Sequence, residues 1–279
     1  MIRKYLIRTV LAAAFLLPSC EKVIEIDLNT ADPQFVAEAV IYKDSVPVVH
    51  LTRTISFFSQ EEPDYVEDAT VLISDGTITE QLNFTGDGFY RGSSVIGTEG
   101  KKYWIEIQNE GTTYTGNSFM PPEPDIISVS YSKNNNQTIF NPYGETMFVI
   151  RCEFIDDPAA ENYYMIRYIL DDEVLSGSYY LLTEKNAVNG TFEISDINSA
   201  DNDTIKFEEW MFYEGGKGEV QVFSIDKSVY DYFVQLNDVL YWKRRFNPPS
   251  PYNPISNISN GALGYFAAWA YDSRKLILE

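Results

Sequence analysis

The chain has 279 residues with 41 acidic against 21 basic side chains, a formal charge of −20. So acidic a chain argues against nucleic acid and anionic phospholipid as partners, since both need cationic surface. A 44% hydrophobic content that includes 20 Tyr and 17 Phe supplies enough apolar surface for a packed core and argues against disorder.

The N-terminus, Met1–Arg8, carries Arg3, Lys4 and Arg8 and no acid. The apolar run Thr9–Leu17 is too short to span a bilayer as a helix, which needs ~20 residues, and suits the central region of a signal peptide. Leu17-Pro18-Ser19-Cys20 then sets an aliphatic residue, a small residue and a cysteine in lipobox order. Residues 1–19 are therefore expected to be removed. Cys20 would take a diacylglycerol on its thiol and a further acyl chain on the new amino group. Each buried methylene contributes ~0.8 kcal/mol, so several chains hold a soluble body on a membrane. The alternative is a plain secretory signal with a chance cysteine. Cleavage removes three bases and no acid, which moves the charge from −20 to −23.

Residues 20–33 read as a lipidated tether whose alternating Glu21–Leu28 segment is suited to edge-strand pairing. Alternating runs follow at Phe35–Tyr42, Val46–Ser56, Ala69–Ser74, Thr79–Phe84, Tyr103–Gln108 and Thr112–Phe119, separated by turns rich in Gly and Asp. Asn109-Glu110-Gly111 between two such runs predicts a hairpin. Many short strands at this spacing read as a β-sandwich of immunoglobulin or transthyretin type over 34–120. Met120-Pro121-Pro122-Glu123-Pro124 cannot sit inside a sheet and predicts a stiff connector. A second β-rich region is expected over 125–279, with strands at Ile126–Ser132, Thr146–Phe154, Asn162–Leu170, Val174–Leu182, Thr204–Phe212 and Glu219–Ile225. From Asp226 to Arg245, apolar residues at Val229, Tyr232, Phe233, Leu236, Val239, Leu240 and Trp242 predict one amphipathic helix packed on that second sandwich. Ser224 or Asp226 is placed to cap it, and Lys243-Arg244-Arg245 complements its C-terminal dipole. A proline-rich loop precedes a last buried strand over Gly261–Tyr271. The fold class is therefore all-β, two sandwich regions with a helix in the second.

Candidate chemistry is sparse. The single histidine, His50, sits in an alternating strand and reads as half exposed. Cys152 has no partner once Cys20 is acylated, and its strand context predicts a buried, inert thiol. No nucleophile elbow, zinc spacing or phosphate loop is present. The oxygen-rich Asp196–Asp203 departs from calcium-loop spacing and reads as a solvated loop. Trp210, Tyr213, Tyr241, Trp242 and Trp269 fall at strand or helix periods and read as core rather than as a binding platform. Asp44-Ser45-Val46 and Asp203-Thr204-Ile205 match a bacterial O-glycosylation pattern, a weak sign of export. No catalytic residue, cofactor or metal site is expected, and Cys20 is the one functional position named.

Three segments together are familiar: Ser19–Asp27, Asn117-Ser118-Phe119-Met120-Pro121-Pro122, and Asn253–Phe266, the last reading Ser-Asn-Ile-x-x-Gly-x-Leu-Gly-x-Phe from Ser256. The chain resembles a family of Bacteroidota outer-membrane lipoproteins of unassigned function, often encoded beside TonB-dependent receptors. The resemblance implies an outer-membrane location and offers no catalytic residues. With the anchor and the sandwich regions, it suggests a non-enzymatic lipoprotein, accessory to a TonB-dependent receptor in nutrient capture. Exposed loops at the ends of the sandwiches, Asn134–Pro142 and Phe246–Asn260, are the candidate contact surfaces. The alternatives are a surface adhesin or structural lipoprotein binding host or neighbouring polymers, and an enzyme with a carboxylate pair.

Overall fold

In the computed structural model, the described residues are 32–56, 63–134, 147–155, 160–174, 180–183, 187–188, 204–212, 216–240 and 252–279. Alternation sets the first strands: β1 (Phe35–Tyr42), β2 (Val48–Arg53), β3 (Asp64–Tyr65), β4 (Thr70–Ser74), β5 (Thr79–Gln81), β6 (Asn83–Gly86), β7 (Phe89–Arg91), β8 (Lys102–Asn109) and β9 (Thr112–Phe119). In β1, β4 and β8 every second residue is buried, as one core-facing side requires. The expected hairpin joins β8 to β9, with Glu110 and Gly111 both at positive φ, the geometry that follows strand twist.

Beyond the prolines come β10 (Asp125–Asn134), β11 (Met147–Ile155), β12 (Tyr163–Leu170), β13 (Glu173–Val174), β14 (Tyr180–Thr183), β15 (Ala187–Val188), β16 (Thr204–Phe212) and β17 (Gly216–Ile225). Helix α1 (Lys227–Leu240) and β18 (Leu263–Leu278) follow. The largest sheet runs β15–β14–β12–β17–β18–β1–β2–β7–β6, with β13 beside β12 and β3 beside β2. Two smaller sheets, β10–β11–β16 and β5–β4–β8–β9, pack against it as sandwich layers.

The sixteen-residue β18 holds this arrangement together. Leu263–Trp269 pair in parallel with Val36–Tyr42, and Ala270–Leu278 pair antiparallel with Ser224–Gly216. Gly264 makes the parallel approach possible. It lies at φ +88°, and a Cβ there would fall 2.1 Å from the Ala37 carbonyl oxygen.

Three apolar clusters result. The first sets Phe35, Ile41 and Leu51 against Val71, Ile73 and Ile105. The second joins Phe148, Ile150 and Phe154 to Tyr164, Ile166 and Val222. The third lies on the opposite face of the large sheet, where Val229, Tyr230, Tyr232 and Phe233 of α1 cover Met165, Phe223 and Trp269. Being covered on both faces explains why β12 reads as a nearly continuous apolar run, and why β17 is buried along nearly its whole second half although Gln221 and Ser224 interrupt its apolar residues.

The division expected between 34–120 and 125–279 does not divide the cores. Ile258, Ala262, Phe266, Ala268 and Ala270 pack inside the first cluster, and residues 33–279 form one compact unit. Among the described residues of 34–120, β1 has β2 as its only neighbour, and β18 supplies the other. Parallel pairing needs a long crossover, so no local pattern announces it. The final strand also runs seven residues past the expected end at Tyr271, and α1 is observed to Leu240, the segment 241–245 lying outside the described residues.

Candidate functional site

The residues that carry the family resemblance meet in space. Asn117 and Ser118 lie near the end of β9, and Ser256–Gly261 lies just before β18. The Asn257 side chain donates to the Phe266 carbonyl at 2.7 Å and accepts from the Phe266 N–H at 2.8 Å, imitating a neighbouring strand. It also donates to Ser228 Oγ at 3.2 Å and to the Asn117 carbonyl at 3.3 Å. The Ser259 N–H donates to the Thr115 carbonyl, and Ser259 Oγ accepts from the Thr115 N–H, both at 2.8 Å. Asn260 Nδ2 donates to the Thr113 carbonyl.

Ser118, almost fully buried, accepts from the Ala268 N–H at 2.9 Å and donates to Asp226. Asp226 also accepts from the Phe119 N–H at 2.9 Å, while its other oxygen accepts from the Val229 N–H at 3.0 Å and caps α1. One carboxylate thus ties the helix start to the end of β9. The Ser118–Asp226, Asn257–Asn117, Ser259–Thr115 and Ser118–Ala268 bonds link segments 108 to 150 residues apart in sequence. Their chemistry is structural.

Beside this joint an open groove of about 590 Å³ runs between the proline connector, the start of β12 and the start of α1. Phe119, Pro121, Pro124, Ile155, Tyr163 and Tyr164 give it apolar walls, and Glu123, Asp125 and Glu161 line it beside Lys227. The connector is pinned from outside: Lys43 bonds Glu123 and pairs with Glu99 at 2.9 Å. The Glu123 hydrogen bond, then that of Glu99, raises the Lys43 pKa above the ordinary lysine value. Burial, aided by the Glu161 hydrogen bond, pushes the Tyr163 phenol up to about 12, so it remains a neutral donor. The described lining holds no histidine or cysteine. What it offers is prolyl and aromatic contact with an acidic margin, suited to holding a partner.

Cys20 and the tether lie outside the described residues, as do Asp196–Asp203, Tyr213, Tyr241 and Trp242. Trp210 lies on β16, of which only the backbone is described. Of the loop Asn134–Pro142 only Asn134 is described, and of Phe246–Asn260 the part from Tyr252. Trp269 is buried, stacked on Tyr42 with ring centroids 5.6 Å apart, which makes it core. His50 stacks on Phe89 at 4.1 Å, and its Nδ1 lies 3.7 Å from Glu38. Cys152 is fully buried, and desolvation, with Asp272 adding to it, pushes its thiol up to about 12. Ser45 stands on an exposed turn where Asp44 adopts φ +58°. Sequence reasoning missed the joint, although its asparagines and serines were the most specific part of the resemblance.

Together the fold and the joint define a β-sandwich protein with one packed helix among the described residues, its strands locked by Asn257, Ser259 and Ser118. The chain belongs to the family described as Domain of unknown function (DUF4249), which it matches over residues 21–275. No curated protein matches it. A solved structure described as Drosophila OTK, extracellular domains 3-5, is 16% identical with a TM-score of 0.21; the match covers 68% of this chain and 57% of that one. The chain therefore spans somewhat more than half the length of that structure, and a likeness this low carries no argument.

Proposed function

We propose that this is a lipid-anchored, non-enzymatic outer-membrane protein that assists a TonB-dependent receptor in capturing a nutrient. The observation that carries the reading is the use made of the family motif. Asn257, Ser118, Ser259 and Asp226 direct their polar groups to backbone partners, as a scaffold requires and a reactive site does not. The lipobox ending at Cys20 supports the anchor, and the connector groove gives the body a surface for a partner. The resemblance to lipoproteins encoded beside TonB-dependent receptors supports the choice of partner.

The test is purification of the protein, tagged at Glu279, from its native outer membrane in mild detergent, with mass spectrometry of what accompanies it. A TonB-dependent receptor in stoichiometric amount is expected. The protein recovered alone, with the receptor present in the extract, would refute the partnership and favour a free-standing surface binder. Cys20→Ala should abolish acyl labelling and release the body from the membrane fraction; labelling that persists would refute the anchor.

A further inference from the structure

We propose that the solvent face of the sheet β5–β4–β8–β9, around Trp104, binds a neutral saccharide. This site is separate from the connector groove and does not depend on a receptor partner. Trp104 lies on β8, an interior strand of that sheet, and the residue is 44% exposed. The ring is nonetheless held in place. Its far edge lies against the β4–β5 turn, where a Cβ on Gly76 would come within 3.3 Å of Cζ3, and Lys102 Nζ lies 5.9 Å from the ring centroid. An indole fixed by a turn while its surface stays open is an adhesive plate prepared before any ligand arrives.

The surroundings specify the ligand class. Beside the indole is a shallow depression of about 320 Å³ lined by Trp104, Thr115, Asn117, Ser256, Asn257 and Ser259, with Gly116 and Ile258. Asn117 is the cross-strand partner of Trp104, and its exposed side-chain amide makes no hydrogen bond among the described residues. Thr115 Oγ1 and Ser259 Oγ lie 3.0 Å apart and present hydroxyls to solvent. No ionisable side chain lines the depression, although the chain carries a formal charge of −20. Two larger grooves among the described residues each contain acids and at least one lysine. The charges flanking Trp104 on β8, Lys102 and Glu106, are opposite in sign, and Glu106 accepts from Gln108 at 2.7 Å.

A neutral site that pairs one aromatic plate with amides and hydroxyls is complementary to a sugar ring. The ring's C–H face lies on the indole, and its hydroxyls exchange hydrogen bonds with Asn117, Thr115 and Ser259. The lining itself supplies an anionic ligand no cation, and Lys102, which stands over the indole, is opposed in sign by Glu106 on the same strand. A protein partner would require a broader apolar centre than Trp104 and the exposed Phe119 on the same face provide, because interface centres are built from clustered large apolar side chains. The joint explains the site's rigidity. Asn257 and Ser259 fix the loop before β18 against β9, so the depression's far wall is strapped to the strand that carries Asn117.

The full-length lipoprotein, in a detergent without sugar headgroups, is applied to an array of immobilised neutral and acidic oligosaccharides. Any neutral glycan retained is then titrated by calorimetry. The expected result is retention of neutral glycans, with affinity falling at least tenfold in Trp104→Ala and several-fold in Asn117→Ala, while the thermal midpoint of both variants stays at the wild-type value. Asn117→Ala serves as the second probe because the Asn257 contact uses the Asn117 backbone carbonyl and survives the substitution. Failure to retain any neutral glycan, retention of acidic glycans only, or retention unaffected by Trp104→Ala would each overturn the proposal. The receptor purification is expected to be unchanged in Trp104→Ala, so the two readings fail independently.

Discussion

Replacing Asn257 by alanine tests the claim that the Ser256–Gly261 segment is a structural joint. The side chain closes a two-way bond with Phe266, at 2.7 and 2.8 Å, and Phe266 is fully buried. Truncation leaves an N–H and a carbonyl in the core without partners. An orphaned buried polar group costs about 1–3 kcal/mol, so the pair costs about 2–6 kcal/mol. The longer contacts to Ser228 and Asn117 add little, since both partners lie near solvent. In a body of this size each kcal/mol moves the thermal midpoint by about 2–4 °C, so a fall of roughly 5–20 °C is expected. The assay is thermal and urea unfolding of the full chain in detergent, followed by circular dichroism. Asn257→Asp should not restore stability, because it lacks the donor that the Phe266 carbonyl needs. Ser256→Ala is the control. It removes one bond to the Ile258 N–H at a half-exposed position and should cost no more than about 1 kcal/mol. A midpoint within about 2 °C of wild type for Asn257→Ala, at unchanged urea slope, would refute the reasoning.

Gly264→Ala should destabilise by about 3 kcal/mol or more, read as a lower urea midpoint, because the added methyl meets the Ala37 carbonyl at a φ that alanine avoids; a wild-type midpoint would refute the close parallel approach. Two carboxylates predict acid sensitivity. The Lys101 hydrogen bond and the Ile78 and Thr77 N–H groups hold Asp75 down at about 2, while at Glu80 burial pushes the carboxyl up but donors from Val95, Ser94 and Ser93 outweigh it and leave it lowered. A carboxyl depressed in the folded state stabilises fully above its unfolded value and loses that contribution as pH falls through the folded one. Stability should therefore be level from pH 7 to 5 and decline between about 4 and 2, and Asp75→Asn with Glu80→Gln should flatten that decline; an equal slope in the double variant would count against it. Cys152, with its thiol held at about 12, should resist iodoacetamide at pH 7.5 until the chain unfolds, as mass spectrometry can follow; rapid native alkylation would contradict its burial.

Local chemistry wrote the strands into the sequence. The alternation in β1, β4 and β8, the hairpin at Glu110-Gly111 and the helical spacing of Val229, Tyr232 and Phe233 are all set by neighbours within a few residues, and each appears where its pattern lies. The burial of Cys152 followed from the same kind of reading. Other features required distant segments to meet. Nothing in Phe35–Tyr42 states that its second neighbour is Leu263–Trp269, so the proline connector read as a boundary between regions that in fact share a strand. The Glu80 carboxylate looks like a solvated acid until Ser93, Ser94 and Val95 close round it. Asn257 and Ser118 read as polar loop and strand residues until Phe266 and Ala268 are placed beside them. The exposure of Trp104 among neutral side chains likewise depends on which loop is strapped to β9. Periodicity and turn chemistry act over a few residues and are legible in order along the chain. Parallel pairing, buried hydrogen-bond partners and the charge of a surface patch depend on residues far apart in sequence, and only the closed fold brings them together.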